Sequence, residues 1–143
     1  MKKHCILFAL IAVFLTGCSS SDVPVLEDHT WVMTTVQSTA DNGQAIAYGS
    51  DGQSTLDSAV YIDMECKAEN GSLTLTDNTN NKTYTGSYEL TDQAPDAMNY
   101  KVTIDGKEGI AVIAITTYQD ETQTPTFIIN LGDYTLNFFS VPT

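Results

Sequence analysis

The chain has 143 residues, 18 acidic side chains, six Lys, no Arg and a formal charge of −12 at pH 7. That length holds one hydrophobic core and not two. The charge argues against nucleic acid and anionic lipid head groups as partners, because binding either depends on Lys and Arg neutralising phosphates.

In chain order, Lys2 and Lys3 come first, followed by an uncharged apolar run over residues 5–15 and the small residues Thr16 and Gly17. A basic start, a short apolar core and a small-residue site make a secretory signal. The run is shorter than the roughly 20 residues a spanning helix needs. Leu15-Thr16-Gly17-Cys18 resembles the lipobox of bacterial lipoproteins, with Leu15, Gly17 and Cys18 at its defining positions. The resemblance implies cleavage before Cys18 and acylation of its thiol. The partner of Cys18 is then a lipid bilayer, and the chain sits on the extracytoplasmic face of a cell membrane. Each buried CH₂ of an acyl chain contributes about 0.8 kcal/mol, so two or three chains make a durable anchor.

The chain then divides into a leader over 1–17, a polar tether over 18–28 and a domain over 29–143. Loss of Lys2 and Lys3 leaves four Lys against 18 acids, a formal charge of −14. A partner attracted by charge is therefore cationic: a basic protein, a cationic peptide or a divalent metal. The same charge also serves plain solubility. Of three Cys, Cys5 leaves with the leader and Cys18 carries lipid, so Cys66 has no partner for an intramolecular disulfide.

From Thr30 the texture becomes that of strands. Residues 30–39 are rich in Trp, Val and Thr. Asp41-Asn42-Gly43 signals a turn, 44–48 a short strand and 49–58 a long Gly/Ser/Asp loop. Residues 59–68 alternate, with Val60, Ile62, Met64, Cys66 and Ala68 on one face and Tyr61, Asp63, Glu65 and Lys67 on the other. Period two with charge on one side predicts a half-buried antiparallel strand. Cys66 then reads as a buried small hydrophobe rather than a reactive thiol. Asn70-Gly71 turns into a strand over 72–76, and 83–90 alternates about Tyr84, Gly86, Tyr88 and Leu90. A loop over 92–97 leads to a strand over 99–104 with Tyr100, Val102 and Ile104 inward. Asp105-Gly106 signals a hairpin. Residues 109–118 are apolar at nearly every position, as for a strand covered on both faces or one whose outer face packs on a loop. Strands over 126–131 and 134–141 meet at Gly132-Asp133.

About nine short strands and no helix predict an all-β, antiparallel up-and-down meander of eight or nine strands. Closing it into a barrel removes exposed edges. A barrel of about eight strands either fills its interior with side chains or holds one small ligand. Trp31 at the start of the first strand, with the hairpin arm from Asn81 to Tyr88, resembles the lipocalin-like barrels of small bacterial lipoproteins. That resemblance implies a closed barrel and, as a habit of the class, a small apolar ligand inside it.

For catalysis the residues offer little. His29 is the one His after the leader, no Gly-x-Ser-x-Gly elbow is present, and Cys66 reads as buried, so nucleophilic chemistry has no set of groups to use. Asp77-Asn78-Thr79-Asn80-Asn81 has the texture of a calcium loop, but Lys82 stands where that loop needs Gly and Tyr88 where it needs Glu. It reads as a plain hairpin loop. Glu27 with Asp28, Asp63 with Glu65, and Asp120 with Glu121 read as surface charge. Trp31, Tyr84, Tyr88, Tyr100, Phe127 and Phe138 fall on inward faces. They either line a ligand pocket or fill the core. The chain is expected to be a binding module rather than an enzyme, without metal or cofactor. A small apolar molecule in the barrel and a cationic protein on the acidic surface are the two candidate partners.

Overall fold

A computed structural model describes residues 23–142, without the side chain of Pro142. The leader, the lipobox and Cys18 lie outside the described residues.

Ten strands form one sheet: β1 (His29–Ser38), β2 (Gln44–Tyr48), β3 (Val60–Tyr61), β4 (Met64–Glu69), β5 (Ser72–Asp77), β6 (Lys82–Ala94), β7 (Ala97–Ile104), β8 (Lys107–Thr117), β9 (Gln123–Leu131) and β10 (Tyr134–Pro142). From β4 to β10 each strand pairs with the next, and β10 pairs back onto β1. β1 also pairs with β4, which closes an eight-stranded antiparallel barrel of β1 and β4–β10. The all-β class and the closed up-and-down meander read from the sequence are therefore correct. Hairpins make this cheap in chain length. Asn70-Gly71 and Asp105-Gly106 each have two positive φ angles, while Gly132-Asp133 has its positive φ at Gly132 alone. These are the twisted two-residue turns that match the right-handed twist of flanking strands.

Where the strand pattern departs from expectation, the backbone shows why. The alternating stretch over 59–68 breaks into β3 and β4 at Ile62 and Asp63. β3 pairs in parallel with β2, as Ala47 with Val60 and Tyr48 with Tyr61. Val60, expected inward, is 54% exposed because it lies outside the barrel. The loop expected over 92–97 shrinks to Pro95-Asp96, since β6 and β7 run on past a bulge between Leu90 and Asp92.

One edge of β1 serves two partners. Trp31 and Val32 pair with β4, and Thr35 to Ser38 pair with β2. The gap between is filled by the turn after β2: Gly49 donates its N–H to Thr34 O at 2.8 Å. Gly52 sits so close that a Cβ there would lie 1.7 Å from Thr34 O. A bulge between Met33 and Thr35 shifts the alternation, so Trp31 and Met33 point inward before it and Val36 and Ser38 after it.

The end of the barrel where β1 begins is plugged. A single 3₁₀ turn, Leu26–Asp28, crosses it. Leu26 is wholly buried and Val23 nearly so. Trp31 Nε1 donates to Leu26 O at 3.0 Å, and the Tyr88 hydroxyl on β6 donates to Glu27. Within the tether expected over 18–28, Val23 and Leu26 are instead buried in the core, while Val25, Glu27 and Asp28 are exposed. Burying Val23 and Leu26 removes apolar area from water at about 25 cal/mol per Å², which a polar tether would not do.

Candidate functional site

The barrel interior is where a ligand would be expected. Its walls are built by period two: Met64, Cys66 and Ala68 on β4, Leu73 and Leu75 on β5, Met98, Tyr100, Val102 and Ile104 on β7, Ala111 and Ile113 on β8, Phe127 and Ile129 on β9, Phe138 on β10, and Trp31 and Met33 on β1 are all buried. Trp31, Met33, Cys66, Leu73, Ile113, Phe127 and Ile129 have 0% exposure. A void wide enough for water would leave accessible surface on its walls, and these side chains have none. Around these seven residues the interior is closely packed, as in a core.

The six aromatic residues expected to line a pocket divide. Trp31, Phe127 and Phe138 stack in series, with ring centroids 5.3 Å and 5.8 Å apart. Tyr100 packs edge-on to Tyr88 at 6.0 Å, and its hydroxyl lies 3.8 Å from Met98 Sδ. Trp31, Tyr100, Phe127 and Phe138 are buried, while Tyr84 and Tyr88 are half-buried at the edge of the core. The pocket these residues could have lined is filled by the residues themselves. Large aromatics bury 150–250 Å² each, and a barrel closed at eight strands is just wide enough for side chains to fill.

Several concavities open on the outer surface. One of about 470 Å³ sits beyond the plugged end among Glu27, His29, Lys67 and Glu69. A second, of about 460 Å³, runs along β6 and β7 beside Tyr88, Glu89 and Lys101. A third, of about 270 Å³, is uncharged and walled by Gln37, Gln44, Gln53 and Thr55. Of the six aromatic residues, Tyr88 borders one of these three.

The titratable groups have structural partners. His29 stacks against Trp31 with centroids 5.6 Å apart, and its Nδ1 is buried without a hydrogen-bond partner. Burial pushes the Cys66 thiol up to about 12, so it stays protonated at neutral pH. Burial first, and the bond to Glu27 second, push the Tyr88 hydroxyl up to about 12 as well. Burial also raises Tyr100. Asp63 accepts from Asn78 Nδ2 at 3.3 Å, and Glu65 lies 3.8 Å from Lys67 on the outer wall. Asp120 accepts the N–H and O–H of Thr122, which hold its exposed carboxyl below the ordinary value.

Asp77 is a buried carboxylate that the sequence pattern placed only in a loop. It accepts from Asn80 N at 2.9 Å and from Asn80 Nδ2 at 2.8 Å. Residues 77–81 are therefore a turn organised around one carboxylate. Among the described residues, no group of three or more metal-ligating side chains comes together.

The plug was the feature hardest to see in advance, although Val23 and Leu26, apolar residues just before a Trp, were its signal. No known protein family, curated protein or solved structure matches this chain.

Proposed function

We propose that the chain is a lipid-anchored, extracytoplasmic binding module that meets its partner on the outside of the barrel, and that the partner is a cationic protein. The observation that carries this reading is the interior, where Trp31, Met33, Cys66, Leu73, Ile113, Phe127 and Ile129 have no accessible surface. A ligand has no room among them, so the small apolar ligand implied by the lipocalin resemblance loses its seat. Binding is left to the exterior, where nearly all the acidic side chains of the described residues lie.

Support for the anchor comes from Leu15-Thr16-Gly17-Cys18. Because Val23 is already part of the core, an acylated Cys18 would hold the plugged end within about 17 Å of the bilayer, the reach of five extended residues. The opposite rim then faces away from the membrane. Its turns carry Asp41, Asp105 and Asp133, all exposed. Exposed carboxylates of this kind attract a cationic partner and raise its association rate, against the opposing charge of Lys82 and Lys107 at the same end, and salt weakens that attraction.

Three measurements test this reading. Binding of the full chain to a basic probe protein should weaken steadily as NaCl rises. Replacing Asp41, Asp105 and Asp133 together by Asn should reduce it further at low salt. A salt-insensitive interaction would reject the acidic-rim reading. For the anchor, Cys18→Ala should release the protein from the membrane fraction, and equal membrane association of both forms would reject it. A saturable rise in melting temperature with a long-chain fatty acid would restore the interior as a ligand site.

A further inference from the structure

We propose that the outer face built by β1, β2, β3 and the loop over 49–58 binds one unit of a neutral saccharide. At its centre is the cleft of about 270 Å³, lined by Thr35 and Gln37 on β1, Gln44 on β2, and Gln53, Ser54 and Thr55 on the loop. None of its lining residues is charged, in a chain of formal charge −12. The concavities beside Lys67 and Lys101 carry acids and lysines together.

The walls are fixed by their neighbours. After the bulge in β1, Val36 and Ser38 point inward, so Thr35 and Gln37 point out. Asn137 Nδ2 donates to Thr35 Oγ1 at 3.1 Å and to Gln37 Oε1 at 3.3 Å. The Ser54 hydroxyl donates to Ala45 O, and Leu56 N donates to Ser54 Oγ at 3.1 Å. Thr55 Oγ1 donates to Gln44 Oε1 at 3.4 Å. These bonds use the amide oxygens of Gln37 and Gln44 and leave their NH₂ groups as donors, while Gln53 adds an exposed amide. An aromatic platform adjoins the cleft. Tyr48 lies opposite Thr35, and residues opposite one another in an antiparallel pair share a face. Tyr61 lies beside Tyr48 across the parallel pair, with the rings edge to face at 5.7 Å, and is 50% exposed.

The chemistry of these groups selects the ligand. An ion finds no opposite charge among the lining residues. An apolar molecule would strip water from the amides and return no hydrogen bonds, which costs free energy. A peptide added to a sheet needs a row of main-chain partners, whereas this cleft offers side chains from three separate segments. Sugar hydroxyls both donate and accept, as amides and hydroxyls do. A sugar ring also has a C–H face that can lie on an exposed aromatic ring, as at Tyr61. The cleft falls just below the roughly 300 Å³ at which small-molecule sites begin, so it takes one sugar unit and leaves the rest of a glycan in solvent.

Affinity electrophoresis of the full chain in mild detergent, through gels containing dextran, mannan, galactan or xylan, tests this. At least one of these neutral polysaccharides should retard the protein, and high salt should not abolish the effect. Gln53→Ala and Tyr61→Ala should each weaken binding roughly tenfold, the loss of about one well-placed contact. Both residues are exposed, so neither change threatens folding, which a thermal melt would verify. Replacing Asp41, Asp105 and Asp133 together by Asn should leave the relative retardation unchanged, which separates this site from the acidic rim. No retardation by any of the four polysaccharides would overturn the proposal, as would retardation that both variants leave intact. Binding to cationic chitosan alone, lost in high salt, would overturn it equally and assign the sugar contact to the acidic rim.

Discussion

The two halves of the barrel wall are built alike on the inside and differently on the outside. β4 to β7 present Glu65, Lys67, Glu69, Glu89 and Lys101 to solvent, while β8, β9, β10 and β1 present Ile110, Val112, Ile128, Phe139 and Val32. Inside, Leu73 on the charged half and Ile129 on the neutral half are equally inaccessible. Closure and core packing constrain only the inward residues, because a strand's side chains alternate strictly between faces. The outward residues are then free to differ, and their difference is where function can be written.

The largest effects should come from the shared interior. Phe127→Ala, which removes the ring between Trp31 and Phe138, should destabilise by about 3–5 kcal/mol, and Leu73→Ala and Ile129→Ala by about 2–5 kcal/mol each. Urea unfolding would measure all three. A Leu73 cost far below that of Ile129 would break the equivalence of the two halves. Leu26→Ala should cost a similar amount if the plug belongs to the core, and almost nothing if it only rests on the barrel.

Next in size is an alkaline effect. Cys66 and Tyr88 both hold protons more tightly when folded, each pushed up to about 12 from ordinary values of 9.0 and 10.0. With raised folded values, their contribution to stability is complete below the unfolded values and is lost as pH climbs through the folded ones. The urea midpoint should therefore stay level up to about pH 9 and fall between about pH 9 and 12. Cys66→Ala should delay the start of that fall toward pH 10, and midpoints measured from pH 8 to 11 would reveal it.

The smallest effects should lie on the outer faces. Lys101→Ala removes an exposed ion pair of 3.1 Å with Glu108 and should cost at most a few tenths of a kcal/mol, falling further with salt. Val112→Thr on the neutral half should stay within about 0.5 kcal/mol. A large loss of stability in either variant would mean the outer faces are not free, and the contrast between the halves would lose its meaning.

Much of this architecture was legible beforehand because it is local. Alternation in 99–104 put Tyr100, Val102 and Ile104 inside, and the Asn-Gly, Asp-Gly and Gly-Asp pairs marked the hairpins. Where reading failed, a distant contact had intervened. The inward assignment of Val60 followed the period correctly, but β3 pairs with β2 outside the barrel. The 109–118 stretch looked covered on both faces, yet among the described residues no loop lies over Ile110. The aromatic set was placed on the right face, but periodicity cannot say whether inward rings surround a space or fill it.

By itself the sequence determined the strand class, the turns, the inward faces, the acidic balance and the lipobox resemblance, since each depends on residues near one another in the chain. Tertiary structure alone decided that β10 returns to β1, that Leu26 plugs one end, that the interior is full, and that the uncharged strands lie side by side as one wall. Each of these depends on residues brought together from opposite ends of the chain, and on the volume their side chains occupy once there.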